Sequence, residues 1–166
     1  YGVSKAAAEQ YVWLYKRLFG IDAIILRFFN MYGPRQRRFV VFDFAEKIRQ
    51  PGNEVILLGS GKQMRSQLYV DDAVDAILLV LQSGTEQLYN IGSTSVMSVT
   101  EIMHHVLSTF GVVKTLRVSE RSWEGDIQQL VPDVSRLAAL GFQEKVQFEE
   151  GLRRFREWYL SEYQDG

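Results

Sequence analysis

The 166-residue sequence contains no cysteine, which excludes thiol catalysis, thiolate metal sites and a disulfide scaffold. It also lacks any apolar run near the roughly 20 residues that cross a bilayer, and it shows no basic start followed by an apolar leader. Neither sign of charge dominates, because 19 Lys and Arg face 20 Asp and Glu. We therefore expect a cytoplasmic protein that binds neither nucleic acid nor membranes.

The composition is that of a globular protein, with 46% apolar and 23% charged residues. These values exclude a disordered chain and a collagen-like fibre. A chain of this length corresponds to about one domain and can bury a core without a metal or a disulfide. The sequence begins at Tyr1 rather than at methionine, so we expect a fragment or a processed product.

Helical and strand patterns alternate along the chain, which predicts the α/β class. Helices are predicted at residues 4–19, 42–49, 71–83, 98–110 and 148–163. Strands are predicted at residues 21–29, 55–58, 68–70, 88–91 and 115–118. The first strand is almost continuously apolar, as expected of a strand that is buried on both faces of a parallel sheet. The first helix carries a wide apolar face, so we expect it to be covered on more than one side.

Several helix ends have their own signals. Gly20 and Gly111 are expected to end helices in the left-handed conformation. Asp71 can cap the third helix, and Ser98 with Glu101 forms a capping box at the head of the fourth.

Tyr1 and Lys5 stand four residues apart at a predicted helix start, so their side chains share one face. An ammonium near a phenol favours the phenolate, and such a phenol can exchange protons with a sugar or alcohol hydroxyl. This spacing by itself is more typical of an ordinary surface pair.

Further motifs surround this pair. They read YGVSK at 1–5, RFFNMYGPR at 27–35, GSGKQMR at 59–65, YVDD at 69–72, YNIG at 89–92, EGD at 124–126, LGF at 140–142 and EGLR at 150–153. Their order along essentially the whole chain resembles the extended short-chain dehydrogenase/reductase family. More narrowly, it is similar to the NAD-dependent epimerases and dehydratases of nucleotide-diphosphate sugars, of the UDP-glucose 4-epimerase type, which are isomerases or lyases.

The resemblance implies a catalytic and cofactor-binding group. In the family, the Tyr1 position is the acid/base next to the cofactor NAD, and the Lys5 position holds the cofactor ribose. Phe28 and Phe29 match the segment that lies beside the nicotinamide.

The resemblance also implies a substrate-binding group. Asn30 matches an asparagine that contacts the substrate diphosphate, and Arg65 matches an arginine that grips it. The fork of a guanidinium suits phosphate oxygens. Asp126 falls where an acidic residue meets the nucleotide end of the substrate. Taken without the family, Asn30 is a turn residue and Arg65 a solvated charge at a strand edge.

Two other polar clusters have plainer interpretations. Arg35, Arg37 and Arg38 are typical of a solvated turn, with diphosphate binding as the alternative. His104 and His105 are adjacent on a helix and point in different directions, so we expect no metal site.

The family enzymes carry a glycine-rich dinucleotide-binding unit before the tyrosine, and none lies in this sequence. The expected fold is therefore the C-terminal part of a Rossmann-type parallel sheet, with the catalytic helix, at about residues 1–35, plus the small α/β substrate-binding subdomain at about 36–166. We expect this chain to bind a sugar nucleotide, not to bind NAD alone and to be inactive alone. The alternative is a stand-alone, non-catalytic module that binds nucleotide sugars or a protein partner.

The bare edge of the predicted strand at 21–29 favours pairing with another chain. We therefore expect a homo-oligomer, in the simplest case a dimer, formed through the helix at 1–19 or through this edge.

Overall fold

A computed structural model of the chain describes residues 1–119 and 127–163. The helices within these ranges are α1 (Gly2–Phe19), α2 (Phe39–Arg49), α3 (Val70–Ser83), α4 (Val99–Phe110), α5 (Ser135–Ala139) and α6 (Phe148–Tyr163). The strands are β1 (Ile25–Phe28), β2 (Met31–Tyr32), β3 (Glu54–Leu57), β4 (Met64–Ser66), β5 (Leu68–Tyr69), β6 (Leu88–Ile91), β7 (Val96–Ser98), β8 (Thr115–Val118) and β9 (Gln129–Leu130). No helix in the described part of the chain combines the length and apolarity needed to cross a bilayer.

The strands pair mainly in parallel. β1 pairs with β6, β2 with β5 and β3 with β8, each in parallel, and β4 lies between antiparallel β7 and parallel β9. Helices connect the parallel partners, because a parallel pair needs a long crossover. The predicted α/β class with parallel strands is confirmed.

Two apolar cores form on either side of the short β2–β5 pair. The larger core joins α2, α4 and α6 to β3, and it includes Tyr32 and Tyr69. The smaller core joins α3, α5 and β6, and it includes Leu68. Successive residues of a strand point to opposite faces, so Leu68 and Tyr69 enter different cores. The β2–β5 pair is therefore the point at which the two cores meet.

Several local predictions are confirmed. The Ser98 hydroxyl accepts the Glu101 N–H at 3.1 Å, and the Glu101 carboxylate accepts the Ser98 N–H at 2.7 Å, which completes the capping box. Gly20 and Gly111 end α1 and α4 with φ of 65° and 68°. Helix α6 covers the predicted residues 148–163.

The expected burial of the first strand is wrong. β1 is only four residues long, and its residues are half-buried or exposed. Among the described residues its one strand partner is β6, so the other edge of β1 is uncovered. An apolar strand sequence indicates that the strand tends to be buried. Burial also requires a neighbouring element that packs against the strand.

The expected covering of α1 is also wrong within the described residues, because none of its residues is buried. Its apolar side chains, among them Tyr11, Tyr15 and Leu18, are largely exposed.

Asp71 does not cap α3. That helix begins at Val70 with Tyr69 in the N-cap position, which places Asp71 inside the first turn. The buried carboxylate is that of the next residue, Asp72, which accepts the N–H groups of Lys145 and Val146 at 3.1 and 3.0 Å. The cap prediction is wrong because the helix begins one residue before Asp71, so Asp71 is not in the N-cap position.

Candidate functional site

Tyr1 and Lys5 lie side by side on the first turn of α1. The Tyr1 carbonyl accepts the Lys5 N–H at 3.1 Å and the Ser4 hydroxyl at 2.7 Å, which holds the start of the helix. The Lys5 Nζ is 5.3 Å from the centroid of the Tyr1 ring, within cation–π range. Tyr1 is 95% exposed, so its hydroxyl is open to a ligand. The four-residue spacing thus brings the phenol and the ammonium together.

A bidentate ion pair connects α1 to β1. Arg27 Nε and Nη2 donate to the two carboxylate oxygens of Glu9, each at 2.6 Å. The hydrogen bonds from Arg27 hold the pKa of Glu9 below its usual value. Sequence reasoning missed this pair, although two signals were present. Glu9 follows Lys5 by one helical turn, and Arg27 is the single charged residue in the apolar run 23–29.

Phe28, Phe29 and Asn30 occupy the carboxyl end of β1. Phe28 is 45% exposed, and the Phe29 N–H donates to the Ile91 carbonyl at 2.9 Å. The Asn30 carbonyl accepts the Leu68 N–H at 3.0 Å, which begins the pairing of β2 with β5. Ligands of α/β proteins bind at the carboxyl ends of parallel strands, which is where these three residues lie.

Arg65 lies on β4, in register with Met97 of β7 and Leu130 of β9. Its side chain is half-buried, and Nη1 donates to the Met64 carbonyl at 2.9 Å. Only Ser66 and Gln67 separate it from β5, whose first N–H contacts Asn30. The chain therefore brings Arg65 and Asn30 to the same junction, the place where β1 and β4 lead into the β2–β5 pair.

The structure thus shows the predicted residues as two groups. Tyr1 and Lys5 lie on α1, while Asn30 and Arg65 lie where β1 and β4 lead into the β2–β5 pair. Asp126 lies outside the described residues.

Aromatic side chains pack against one another at the β2–β5 pair. The Tyr32 ring lies 5.5 Å from the Tyr69 ring and 5.0 Å from the Phe148 ring, and its hydroxyl donates to the Phe148 carbonyl at 3.0 Å. Burial raises the pKa of Tyr32 above its usual value. The sequence indicates only a turn at this position, and the role of Tyr32 as a core residue depends on α6.

The remaining polar candidates have structural roles. Arg37 forms an exposed ion pair with Glu162 at 2.8 Å. His105 lies edge-on to the Phe148 ring and 3.4 Å from a Glu149 carboxylate oxygen. In residues 1–119 and 127–163 no group of three or more potential metal ligands occurs.

The fold and these side chains define an α/β protein of the Rossmann-like class with a Tyr–Lys pair at a helix start. The model of the NAD dependent epimerase/dehydratase family matches residues 1–92, which is more than half of the chain. The chain belongs to this family.

Individual relatives agree with this assignment. A putative UDP-glucose 4-epimerase of Methanocaldococcus jannaschii is 32% identical over 165 residues, which cover 95% of this chain and 52% of that protein. The UDP-glucose 4-epimerase of Thermotoga maritima, solved with UDP-glucose, superposes with a TM-score of 0.85 at 30% identity, over 98% of this chain and 53% of the other. The UDP-glucose 4-epimerase of Thermus thermophilus, solved with NAD, gives a TM-score of 0.82 at 30% identity, over 96% and 53%. The chain spans about half the length, or less, of the curated relatives that it matches.

Proposed function

We propose that this chain is the C-terminal half of an NAD-dependent nucleotide-diphosphate-sugar epimerase or dehydratase of the extended short-chain dehydrogenase/reductase type. It binds the sugar nucleotide and supplies the Tyr1 and Lys5 acid–base pair. The observation that carries the proposal is the Lys5 ammonium beside the exposed Tyr1 ring, in a chain that belongs to this family.

Tyr1 is the proton-transfer group of the proposal. Its exposed hydroxyl can reach a sugar hydroxyl, and the ammonium of Lys5 stabilises the phenolate that remains after the proton leaves. The reverse transfer returns the proton to the sugar oxygen. Glu9 and Arg27 hold the helix that presents both groups against β1.

NAD, when bound, supplies the hydride chemistry, which side chains cannot perform. The residues of this chain fit one side of such a cofactor, since Lys5 offers an exposed ammonium and Phe28 an exposed aromatic ring at a strand end. Phe29 extends this apolar edge. The sequence contains no glycine-rich dinucleotide fingerprint to hold a pyrophosphate. We therefore expect that this chain alone neither binds NAD tightly nor turns over substrate.

The substrate diphosphate is assigned to Asn30 and Arg65, and its nucleotide end to Asp126. Arg65 is suited to this role because a guanidinium on a strand can form two parallel hydrogen bonds to phosphate oxygens. We further propose that residues 1–35 belong to the cofactor-facing unit and residues 36–166 to the substrate-binding subdomain.

The assembly and the location are also proposals. The exposed side chains of Tyr11, Leu14, Tyr15 and Leu18 form an apolar face on α1, which supports association of two chains through this helix or through the open edge of β1. A monomeric mass by light scattering at working concentrations would contradict association. A cytoplasmic location is part of the same proposal.

Calorimetry tests the binding proposal directly. UDP-glucose, dTDP-glucose, a GDP-sugar and NAD are titrated separately into the chain, and we expect one sugar nucleotide to bind while NAD does not. Arg65→Ala should weaken that binding about tenfold or more, because a hydrogen bond to a charged group contributes about 1.5–3 kcal/mol. Arg117→Ala is the matched control, because Arg117 lies on β8 and forms an exposed ion pair with Glu54 of β3.

Three results would contradict the proposal. Tight NAD binding without sugar-nucleotide binding would refute the assignment of the substrate half. Equal affinities of the Arg65→Ala and Arg117→Ala variants would refute the role of Arg65. Turnover of UDP-glucose by the chain with added NAD would refute the expected inactivity, whereas binding of a protein partner with no nucleotide would favour the stand-alone module.

A further inference from the structure

Gln67 is a buried amide with an unused hydrogen-bond donor. It is 5% exposed, and its Nε2 has no hydrogen-bond partner within the described ranges. A buried N–H that pairs with nothing costs free energy, so native structures contain few of them. An acceptor that the described part of the chain does not supply would satisfy this donor.

The register of the strands locates this donor. β2 and β5 pair Met31 with Leu68, and the Leu68 N–H donates to the Asn30 carbonyl at 3.0 Å. The preceding residues of the two strands, Asn30 and Gln67, are opposite each other in the same register. The side chains of two residues that are opposite each other in a parallel pair lie on the same side of the sheet. Gln67 therefore lies on the face of the ladder that carries Asn30.

Arg65 is close to Gln67 along the chain. It precedes Gln67 by two residues, and only Gln67 separates β4 from β5. Residues two apart in an extended segment project to one side, about 7 Å apart. Gln67 thus shares a side with both residues to which the proposed function assigns the diphosphate, opposite Asn30 in the β2–β5 register and two residues after Arg65.

Further unused polar atoms surround this junction. Gln36 donates its Nε2 to the Met31 carbonyl at 2.8 Å, while its buried Oε1 has no partner in the part of the chain that the structure describes. The buried Ser66 hydroxyl is also without a partner there. Gln36 and Ser66 thus add buried polar atoms close to this junction, with Ser66, one residue before Gln67, on the opposite face of the extended segment.

We propose that Gln67 Nε2 donates a hydrogen bond to an oxygen of the nucleoside diphosphate that Arg65 holds. This assignment rests on the proposed function and adds a neutral, directional donor to it. A neutral amide is suited to this position because it can contact an oxygen without a second positive charge beside Arg65.

The test substitutes Gln67→Met, which keeps the length of the side chain and removes the donor. Calorimetry measures the affinity for UDP, dTDP and GDP and for the corresponding diphosphate sugars, and thermal unfolding measures the stability without ligand. Gln82→Met, at an exposed position on α3, is the matched control. Gln67→Glu keeps the shape and replaces the donor with a charged acceptor.

We expect Gln67→Met to weaken binding of the preferred nucleoside diphosphate about five- to tenfold, the effect of one hydrogen bond. The loss should be equal for the diphosphate and its sugar, and Gln67→Glu should weaken both further. Without ligand, Gln67→Met should be at least as stable as the unaltered chain, because it removes an unpaired buried polar group. A purely structural Gln67 would show the opposite pattern, with lower stability and unchanged affinity.

The experiment distinguishes failure of the Gln67 assignment from failure of the proposed function. If the unaltered chain binds a nucleotide and Gln67→Met binds it equally well, the assignment of Gln67 is overturned and the proposed function stands. If the loss occurs only with the sugar nucleotide, the contact lies on the sugar and the assignment to the diphosphate is overturned. If the unaltered chain binds no nucleotide, both proposals fall together.

Discussion

Adding one methyl group at Gly151 should disturb the contact between α6 and the β2–β5 pair. Gly151 lies in the first turn of α6, next to Tyr32 and Tyr69, whose rings meet edge to face in the larger core. A Cβ at this position would overlap the Tyr32 hydroxyl and lie 2.7 Å from Tyr69 Cδ2. Both rings are buried, so neither can move into solvent. Gly151→Ala therefore forces a shift of α6 or of the tyrosines.

Three contributions determine how much Gly151→Ala changes the free energy of unfolding. Replacing glycine with alanine inside a helix normally stabilises it by about 1 kcal/mol. Overpacking of a dense core costs about 1–3 kcal/mol, and loss of the Tyr32 hydrogen bond to the Phe148 carbonyl costs about 1 kcal/mol more. The balance is a loss of about 1–3 kcal/mol in the free energy of unfolding. For a chain of this size, that loss lowers the melting temperature by about 3–10 °C.

Thermal and urea unfolding followed by circular dichroism measure this loss. Gly2→Ala is the matched control, because Gly2 is also helical and nothing lies within 4 Å of the position that its added methyl group would take. The cost of Gly151→Ala should shrink in a Tyr32→Phe background, which removes the overlapping hydroxyl. A melting temperature equal to that of Gly2→Ala, or an equal cost in both backgrounds, would refute the reasoning.

Two further predictions concern α4 and the larger core. Ser98→Ala should lower the free energy of unfolding by about 1 kcal/mol, because it removes the hydroxyl that accepts the Glu101 N–H and leaves one half of the capping box. Burial, with a hydrogen bond to Glu46, raises the pKa of Tyr159 to about 12, whereas an unfolded tyrosine titrates near ~10. The folded state therefore binds this proton more tightly, and its contribution to stability is complete below pH ~10 and is lost as the pH rises toward about 12.

Controls separate these effects from general destabilisation. Ser108→Ala changes an exposed serine of the same helix and should leave the unfolding midpoint unchanged. Urea unfolding between about pH 8 and about pH 12 tests the second prediction, in which Tyr159→Phe should reduce the alkaline loss of stability and leave the share that belongs to Tyr32. An equal effect of both serine variants, or identical pH profiles of Tyr159→Phe and the unaltered chain, would contradict the respective prediction.

The features that follow from neighbouring residues could be predicted from the sequence. The Ser98 capping box, the left-handed ends at Gly20 and Gly111, and the approach of Lys5 to Tyr1 each depend on groups within a few residues of one another. The apolar spacing likewise indicated α6 and the α/β class. These signals are local because helix ends must satisfy their own N–H and carbonyl groups.

The site at the strand junction could be predicted only in part. The motifs indicated Asn30 and Arg65, but their common location depends on the hydrogen bond from Leu68 to Asn30 and on the parallel register of β2 and β5. The amide of Gln67, which has no partner for its Nε2 among the described residues, has no signal in the sequence, since a glutamine is usually exposed. Its burial is visible only once the strands are paired.

The sequence by itself therefore determined five of the helices, the helix ends at Gly20, Ser98 and Gly111, the α/β class and the Tyr1–Lys5 pair, because these depend on spacing along the chain. Tertiary structure alone decided that β1 has an uncovered edge among the described residues, that the buried Asp72 carboxylate accepts the N–H groups of Lys145 and Val146, and that Gln67 is buried with its donor unused there. Each of these depends on residues that are distant in sequence and meet only in the folded chain. Burial and the pairing of hydrogen-bonding groups depend on these long-range contacts, so no local sequence pattern encodes them.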